Sequence, residues 1–365
     1  MEGLEAQTRG AAAGALNRLF LIISAATLAL GNCGGPLIMR LYFRHGGKRV
    51  WFSSWLETAG WPVLLVPLAV SYARRRGTAG SGIFLMRPRV FAAAAGIGVL
   101  TGLDDYLYAA GVSRLPISTA ALVAASHLAF TATSAFLMVG QRFTAYSVNA
   151  VVLLSVGAAV LGLHTGGDRL AGESGKRYIL GFFMALAAAA MYGLILPLIE
   201  LTYKKARQAV TFTLALEIQV VMCFSATAFC TVGMIVNGDF QAIPREAKAF
   251  ELGETIYYVV VVVSAIIWQC FFLGIIGVIF YSSSLLSGVI ITVLLPVTEI
   301  LAVVFYREKF QAEKGLSLFL SLWGFVSYFY GEVRDSSNQK TVTKQNKSEE
   351  EEITDQLPVQ NGVAP

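Results

Sequence analysis

Residues 101–118 read TGLDDYLYAAGVSRLPIS, and the adjacent Asp104 and Asp105 interrupt an otherwise apolar run. The preceding RVFAAAAGIGVL, 89–100, reads as the first half of a membrane span, and the chain turns apolar again immediately afterwards. A carboxylate in hydrocarbon costs about 2.5–3.5 kcal/mol even on a lenient insertion scale. Two of them side by side therefore demand a use. Either they carry a proton or contact a solute, or they bond the helix end near Gly111.

The surrounding composition sets the context. Hydrophobic residues make up 56% of the 365-residue chain and charged residues 14%, against about 25% charged in an ordinary soluble domain. An all-helical integral membrane protein follows. The first apolar run is longer than a signal-peptide core, so it is expected as a retained first span. A span needs roughly 20 apolar residues, and ten runs qualify, at about 18–41, 52–73, 89–112, 116–139, 146–164, 178–202, 211–236, 255–280, 283–306 and 314–331. Charged or Gly-rich segments separate them, among them ARRRGTAGSG and NGDFQAIPREAKAFELGE, while FYSSSLL near 280–283 supplies only serines for a turn. Residues 332–365 are polar, charged and poor in aromatics, which predicts a disordered tail.

Ten spans place both termini on one side. The 28 Lys and Arg residues divide almost evenly between the two sides. The dense cluster Arg74-Arg75-Arg76 with Arg87 and Arg89 favours cytoplasmic termini. Sliding the chain against itself aligns GQRFTAYSVNAVVLLSVGAAVLGL (140–163) with REKFQAEKGLSLFLSLWGFVSYFY (307–330), pairing Arg142 with Lys309, Phe143 with Phe310 and Gly157 with Gly324. Halves of five spans each, an odd number, must insert in opposite directions. That is the inverted-repeat plan of secondary transporters, which also balances the charges. The expected organisation is a short tail (1–17), a first five-helix repeat (18–165), a linker (166–177), a second repeat (178–331) and the charged tail (332–365).

The ionisable residues inside spans are few. Besides Asp104 and Asp105 the acids are Glu57, Glu200, Glu217 and Glu299, and the bases are His127 and His164. Glu57 and Glu200 lie near span ends and are expected at the interface. Glu217 and Glu299 lie deeper, and Glu299 follows Pro296, which frees a carbonyl and can bend its helix toward a cavity. No Lys or Arg lies deep in any span, which argues against an anionic substrate needing a cationic clamp. Tyr106, His127, Phe130, Gln219, Trp268 and Gln269 add aromatic walls and hydrogen-bonding edges suited to a flat heterocycle. Gly31-x-x-x-Gly35 and Gly98-x-x-x-Gly102 are small-residue patterns for close helix packing.

Other classes fit poorly. No basic stripe interleaved with aromatics points to nucleic acid, and the four cysteines fit neither a zinc site nor a disulfide framework. No His pair at i, i+4 and no nucleophile beside a base suggests an enzyme. Neither metal nor cofactor is expected. The partners are a small heterocycle, protons and the bilayer. A channel or uncoupled facilitator of the same fold remains the alternative.

Four blocks carry a family resemblance: GNCGGPLIMRLYFRHGGKRVWFSSWLETAGWP (31–62), GLDDYLYAAGVSRLPISTAALVAASHLAFTA (102–132), YSVNAVVLLSVGAAVLGLHT (146–165) and MYGLILPLIELTYKKARQ (191–208). They resemble the plant purine permeases of the drug/metabolite transporter superfamily. The resemblance implies a ten-helix carrier that imports adenine, cytokinins and related heterocycles, generally with protons. Some members take alkaloids or vitamin-B6 compounds. Family members occupy the plasma membrane, expected here, or the endoplasmic reticulum or vacuole. Within SHLAFTA the family commonly has glutamine where this chain has His127, which implies an altered substrate preference or pH response.

Overall fold

A computed structural model describes residues 2–75, 86–114, 126–140, 143–163, 175–206, 208 and 211–306. It also describes positions 312, 315–316, 319–320, 322–328, 330–331 and 334. His164, Arg76, most of the 166–177 linker, the repeat partners Arg142, Lys309 and Phe310, and the acidic tail lie outside the described residues. Every regular element among the described residues is helical. The chain forms α1 (Glu2–Arg44), α2 (Val50–Thr58), a 3-10 turn (Trp61–Leu64), α3 (Leu65–Arg75), α4 (Pro88–Val112) and α5 (His127–Ser134). It continues through α6 (Ala145–Leu163), α7 (Gly175–Lys205), α8 (Phe212–Asn237), α9 (Asp239–Ala249), α10 (Glu254–Tyr281) and α11 (Ser284–Tyr306). Among the described residues six helical stretches are long and apolar enough to cross a membrane: Gly14–Arg44, the interrupted Val50–Ala73, Pro88–Gly111, Ile179–Lys205, Phe212–Asn237 and Glu254–Tyr281. Ile22, Val66, Phe183, Val232 and Val262 face outward, exposed. So large an apolar exterior would drive association in water and is at home in lipid.

Two details go beyond the sequence reading. The second apolar run is not one continuous helix: α2 stops at Thr58 and the chain resumes through Gly60 and the 3-10 turn. The reason is Pro62, which has no N–H for the carbonyl four residues earlier, that of Thr58. The segment NGDFQAIPREAKAFELGE is more than a connection, because it folds into α9, with Asp239, Ala242 and Ala247 buried. Gly238 allows the sharp entry, at φ 69°.

Small residues fix how closely the helices approach. α1 and α10 run antiparallel in contact, and a Cβ on Gly31 would overlap the backbone of Phe271, while one on Gly274 would overlap Leu28. α4 meets α8 in the same way, Gly98 against the Met222 carbonyl and Gly102 against Ala226. Close backbone contact is how membrane helices gain dispersion energy where no hydrophobic drive exists between them.

The two ends of the bundle differ. At one, here termed upper, the C-terminus of α1 meets α9 and α10: Glu246 accepts from the Tyr42 and Tyr257 hydroxyls, the latter at 3.2 Å, and from the Lys48 backbone N–H at 3.2 Å. Arg49 pairs with the fully buried Asp239 at 3.6 Å, and His45 with Glu251 at 3.0 Å. At the lower end, Tyr281 stacks between Phe20 (5.8 Å) and Phe212 (6.3 Å), and Tyr203 meets Phe280 edge-on. There Glu200 accepts from the Ser284 backbone N–H (2.8 Å) and hydroxyl (2.6 Å), capping α11 from α7, and Lys204 pairs with Glu200 at 3.1 Å. Glu200 is thus buried structural cement at a helix start, where unpaired N–H groups favour a carboxylate.

Candidate functional site

A cavity of about 940 Å³ runs from the upper end into the bundle between α1, α2, α4, α5, α7, α8, α10 and α11. Arg40, Arg44, Lys48 and Arg114 line it at the upper helix ends, and Glu57, Asp104, Asp105, His127, Gln219 and Trp268 line it farther in. These positions agree with the sequence, which places no Lys or Arg deep in any span. The cations come from the helix ends α1 and α4 rather than from mid-span, a placement that counting within spans misses.

Three carboxyls meet in the wall. Glu57 is seven residues into α2 and Asp105 seven residues before the end of α4, so both lie roughly 10 Å below the upper helix ends at 1.5 Å per residue. All three carboxyl groups are at most 6% exposed. Glu57 and Asp105 are in side-chain hydrogen-bonding contact. Yet Glu57 Oε1, Asp105 Oδ2 and Asp104 Oδ1 find no donor among the described residues. No cation pairs with any of the three among the described residues. Buried charges are ordinarily paired with opposite charge, so three carboxyls gathered here without a cation are a costly arrangement.

The helix break explains how Glu57 arrives there. It stands one residue before the end of α2, where Gly60 lies so close to α10 that a Cβ would overlap the Ala265 carbonyl. The carbonyl of Thr58, orphaned by Pro62, accepts from Gln269 Nε2 at 3.2 Å, and that of Glu57 accepts from the same group at 3.4 Å. Ser54 Oγ donates to the Asp105 carbonyl at 3.2 Å, tying the same turn of α2 to α4. A half-helix ending at depth beside a polar cavity is the feature by which transporters build binding sites.

Aromatic rings line the same cavity. Trp268 meets Phe271 at 5.3 Å and 90°, Tyr192 lies nearly parallel to Phe271 at 6.5 Å, and His127 sits edge-on to Tyr192 at 5.4 Å. The indole N–H of Trp268 and the hydroxyl of Tyr192 are buried without a partner among the described residues. Asn32 donates to the Ile291 carbonyl at 3.3 Å.

The residues expected at the site divide. Asp104, Asp105, His127, Gln219 and Trp268 line the cavity together. The two aspartates are about 100° apart around α4, but both reach it. Tyr106 instead stacks on Trp51, centroids 3.9 Å apart, and Phe130 packs where a Cβ on Gly193 would stand. Gln269 is spent on the α2 break, and Glu217 accepts from Tyr72 Oη at 2.7 Å toward the lower end. The side chain of Glu299 lies outside the described residues. Sequence reading offered Tyr106 and Tyr108 alike and missed Glu57, Asn32 and Tyr192 as lining residues. Pro62 was the available signal for Glu57, since it ends α2 there. Tyr108 sits two residues from Tyr106 on a different helix face, and nothing local separates the two.

A multi-span helical protein with a deep, carboxyl-bearing cavity open toward one end has the form of a membrane carrier. The chain belongs to the purine permease family: the family model described as purine nucleobase transmembrane transport matches residues 19–338. Purine permease 3 of Arabidopsis thaliana is 55% identical over 346 residues, covering 94% of this chain and 99% of that one. Purine permease 2 of the same plant is 50% identical over 364 residues, covering 96% and 99%. A solved crystal structure shares the fold, with a TM-score of 0.60 at 20% identity over 84% of this chain and 97% of that one.

Proposed function

We propose that the protein is a proton-coupled carrier of purine bases and cytokinin-type purines, working by alternating access. The carrying observation is the cavity itself, lined both by carboxyls without a cation and by aromatic rings with unused donors at Trp268 and Tyr192. A purine offers two stacking faces and an edge of ring N–H donors and nitrogen acceptors, which match these groups. The volume lies near the upper end of the ~300–1,000 Å³ range of small-ligand pockets, leaving space for a substituted purine. The relatives named purine permeases support the same substrate class.

Ten spans in two inverted halves remain the reading of the architecture, and one further repeat supports it. PLIMRLYFR (36–44) and PLIELTYKK (197–205) share Pro-Leu-Ile, a Tyr and a terminal cation at the same spacing. The first closes α1 at the upper end, and the second closes α7 at the lower end beside Ser284. Related segments facing opposite ways are what inverted repeats produce. With cytoplasmic termini the upper end faces outward and the conformation is outward-open, closed below by Tyr203, Phe212, Phe280 and Tyr281. Asp104 and Asp105 are the first-ranked proton or substrate groups, with Glu217 and Glu299 behind them, and the plasma membrane is the proposed residence.

The test is uptake of radiolabelled adenine into yeast lacking its own purine importer, at external pH about 5 and about 7.5, bracketing the ordinary carboxyl-to-histidine range, with and without a protonophore. Acid-stimulated uptake abolished by the protonophore is expected. Uptake indifferent to both would make the protein a facilitator.

A further inference from the structure

We infer that Glu57 and Asp105 hold the transported proton between them, so that α2 and α4 are joined by a carboxyl–carboxylate hydrogen bond when it is loaded. This rests on the proton-coupled reading above and assigns that proton an address.

The argument is one of donors. Glu57 Oε1 and Asp105 Oδ2 are buried, and no protein donor among the described residues reaches either. The two groups nonetheless lie in hydrogen-bonding contact with each other. Carboxylates only accept, so the contact is a bond only if one of the two carries a proton. If both were ionised, two like charges would sit in contact in a poorly solvated wall, which is unfavourable at any effective dielectric. Asp104 also lines the cavity with Oδ1 unsatisfied, and no bond to the pair occupies it. It is therefore the carboxyl left to face solute.

Release is balanced simply. The pair loses one proton to cavity water, leaving two carboxylates, and the hydrogen bond between α2 and α4 becomes a repulsion. Glu57 stands at the end of a half-helix that is interrupted at Gly60, so the repulsion acts beside the break. Loading and unloading would then move α2 relative to α4, which is the linkage a symporter needs.

Other titrating groups facing the pair are Asp104 of α4, Tyr192 of α7, and Cys223 and Cys230 of α8. α10 presents Trp268 and Gln269, which do not titrate. Phenols and thiols ordinarily titrate near 10 and 8.5, outside the range of the assay. His127 shares the cavity and is controlled by H127Q.

The test uses the full-length protein in the same yeast, comparing wild type, E57Q, D105N, H127Q and the exchanged pair E57D/D105E. Two quantities are measured: the ratio of adenine uptake at acid to neutral pH, and the external alkalinisation that accompanies adenine addition. E57Q and D105N are expected to bring the ratio to unity and abolish alkalinisation, with labelled-for-unlabelled adenine exchange still detectable to prove a folded carrier. The exchanged pair is expected to regain both signals, while H127Q, which alters the aromatic lining, is expected to lower total uptake but to keep the acid-to-neutral ratio of the remaining uptake above unity. Coupled uptake in E57Q or D105N, or an acid-to-neutral ratio of unity in H127Q alone, overturns the assignment while leaving proton coupling intact. Wild-type uptake without any alkalinisation overturns both.

Discussion

Replacing Gln269 by Leu isolates the contact that makes the α2 break tolerable. The side chain keeps its volume but loses Nε2, which serves the carbonyls of Thr58 at 3.2 Å and Glu57 at 3.4 Å. Gln269 is 2% exposed, so water does not readily replace it. A buried carbonyl left without a donor costs about 1–3 kcal/mol, while intramembrane hydrogen bonds average nearer 0.6 kcal/mol in double-mutant cycles. The expected loss is therefore about 1–2 kcal/mol. At about 1.3 °C per kcal/mol for a chain of this size, detergent-solubilised Q269L should unfold about 1–3 °C lower. The cause predicts its own rescue. In P62A, residue 62 regains an N–H for the Thr58 carbonyl, so P62A/Q269L should lose less than the sum of the single variants. Thermal unfolding followed by size-exclusion fluorescence reads all four proteins. A melting temperature for Q269L equal to wild type, or strictly additive losses, would refute the account of the break.

Trp268→Phe keeps the ring against Phe271 but removes the indole N–H. Losing one hydrogen bond of about 0.5–1.5 kcal/mol weakens apparent adenine affinity roughly 2- to 12-fold, measurable as KM for uptake with kcat little changed. Gly98→Ala drives a methyl into the Met222 carbonyl, whereas Gly96, two residues away, has open space. G98A should therefore lower thermal stability and G96A should leave it equal or raise it by up to about 1 kcal/mol, as melting in detergent checks. Ser284→Ala removes the 2.6 Å bond to Glu200 and loosens the lower closure by about 1 kcal/mol. A cysteine placed at Phe280 should react faster with a permeant thiol reagent in that background.

How much of this was legible in the chain follows from how local each cause is. A membrane helix satisfies every backbone N–H and C=O within itself, so a 20-residue apolar run declares a span without reference to any neighbour. The glycine pairs were similarly readable as contact faces, and the 102–132 block pointed to the family. Asp104 and Asp105 stood out because charge is expensive in lipid wherever the helix packs. Glu57 did not, because its position near a span end looked interfacial. Only the stop at Pro62, the approach of α10 at Gly60 and the facing surface of α4 bring it against Asp105. Tyr106 and Tyr108 are chemically alike and two residues apart, yet one stacks on Trp51 and the other lines the cavity. Sequence by itself determined which segments enter the membrane and which polar groups go with them, because those costs are paid residue by residue against solvent. Which of those groups meet was decided by the tertiary structure, because a hydrogen bond between α2 and α4 depends on the relative rotation of two helices that no local pattern encodes.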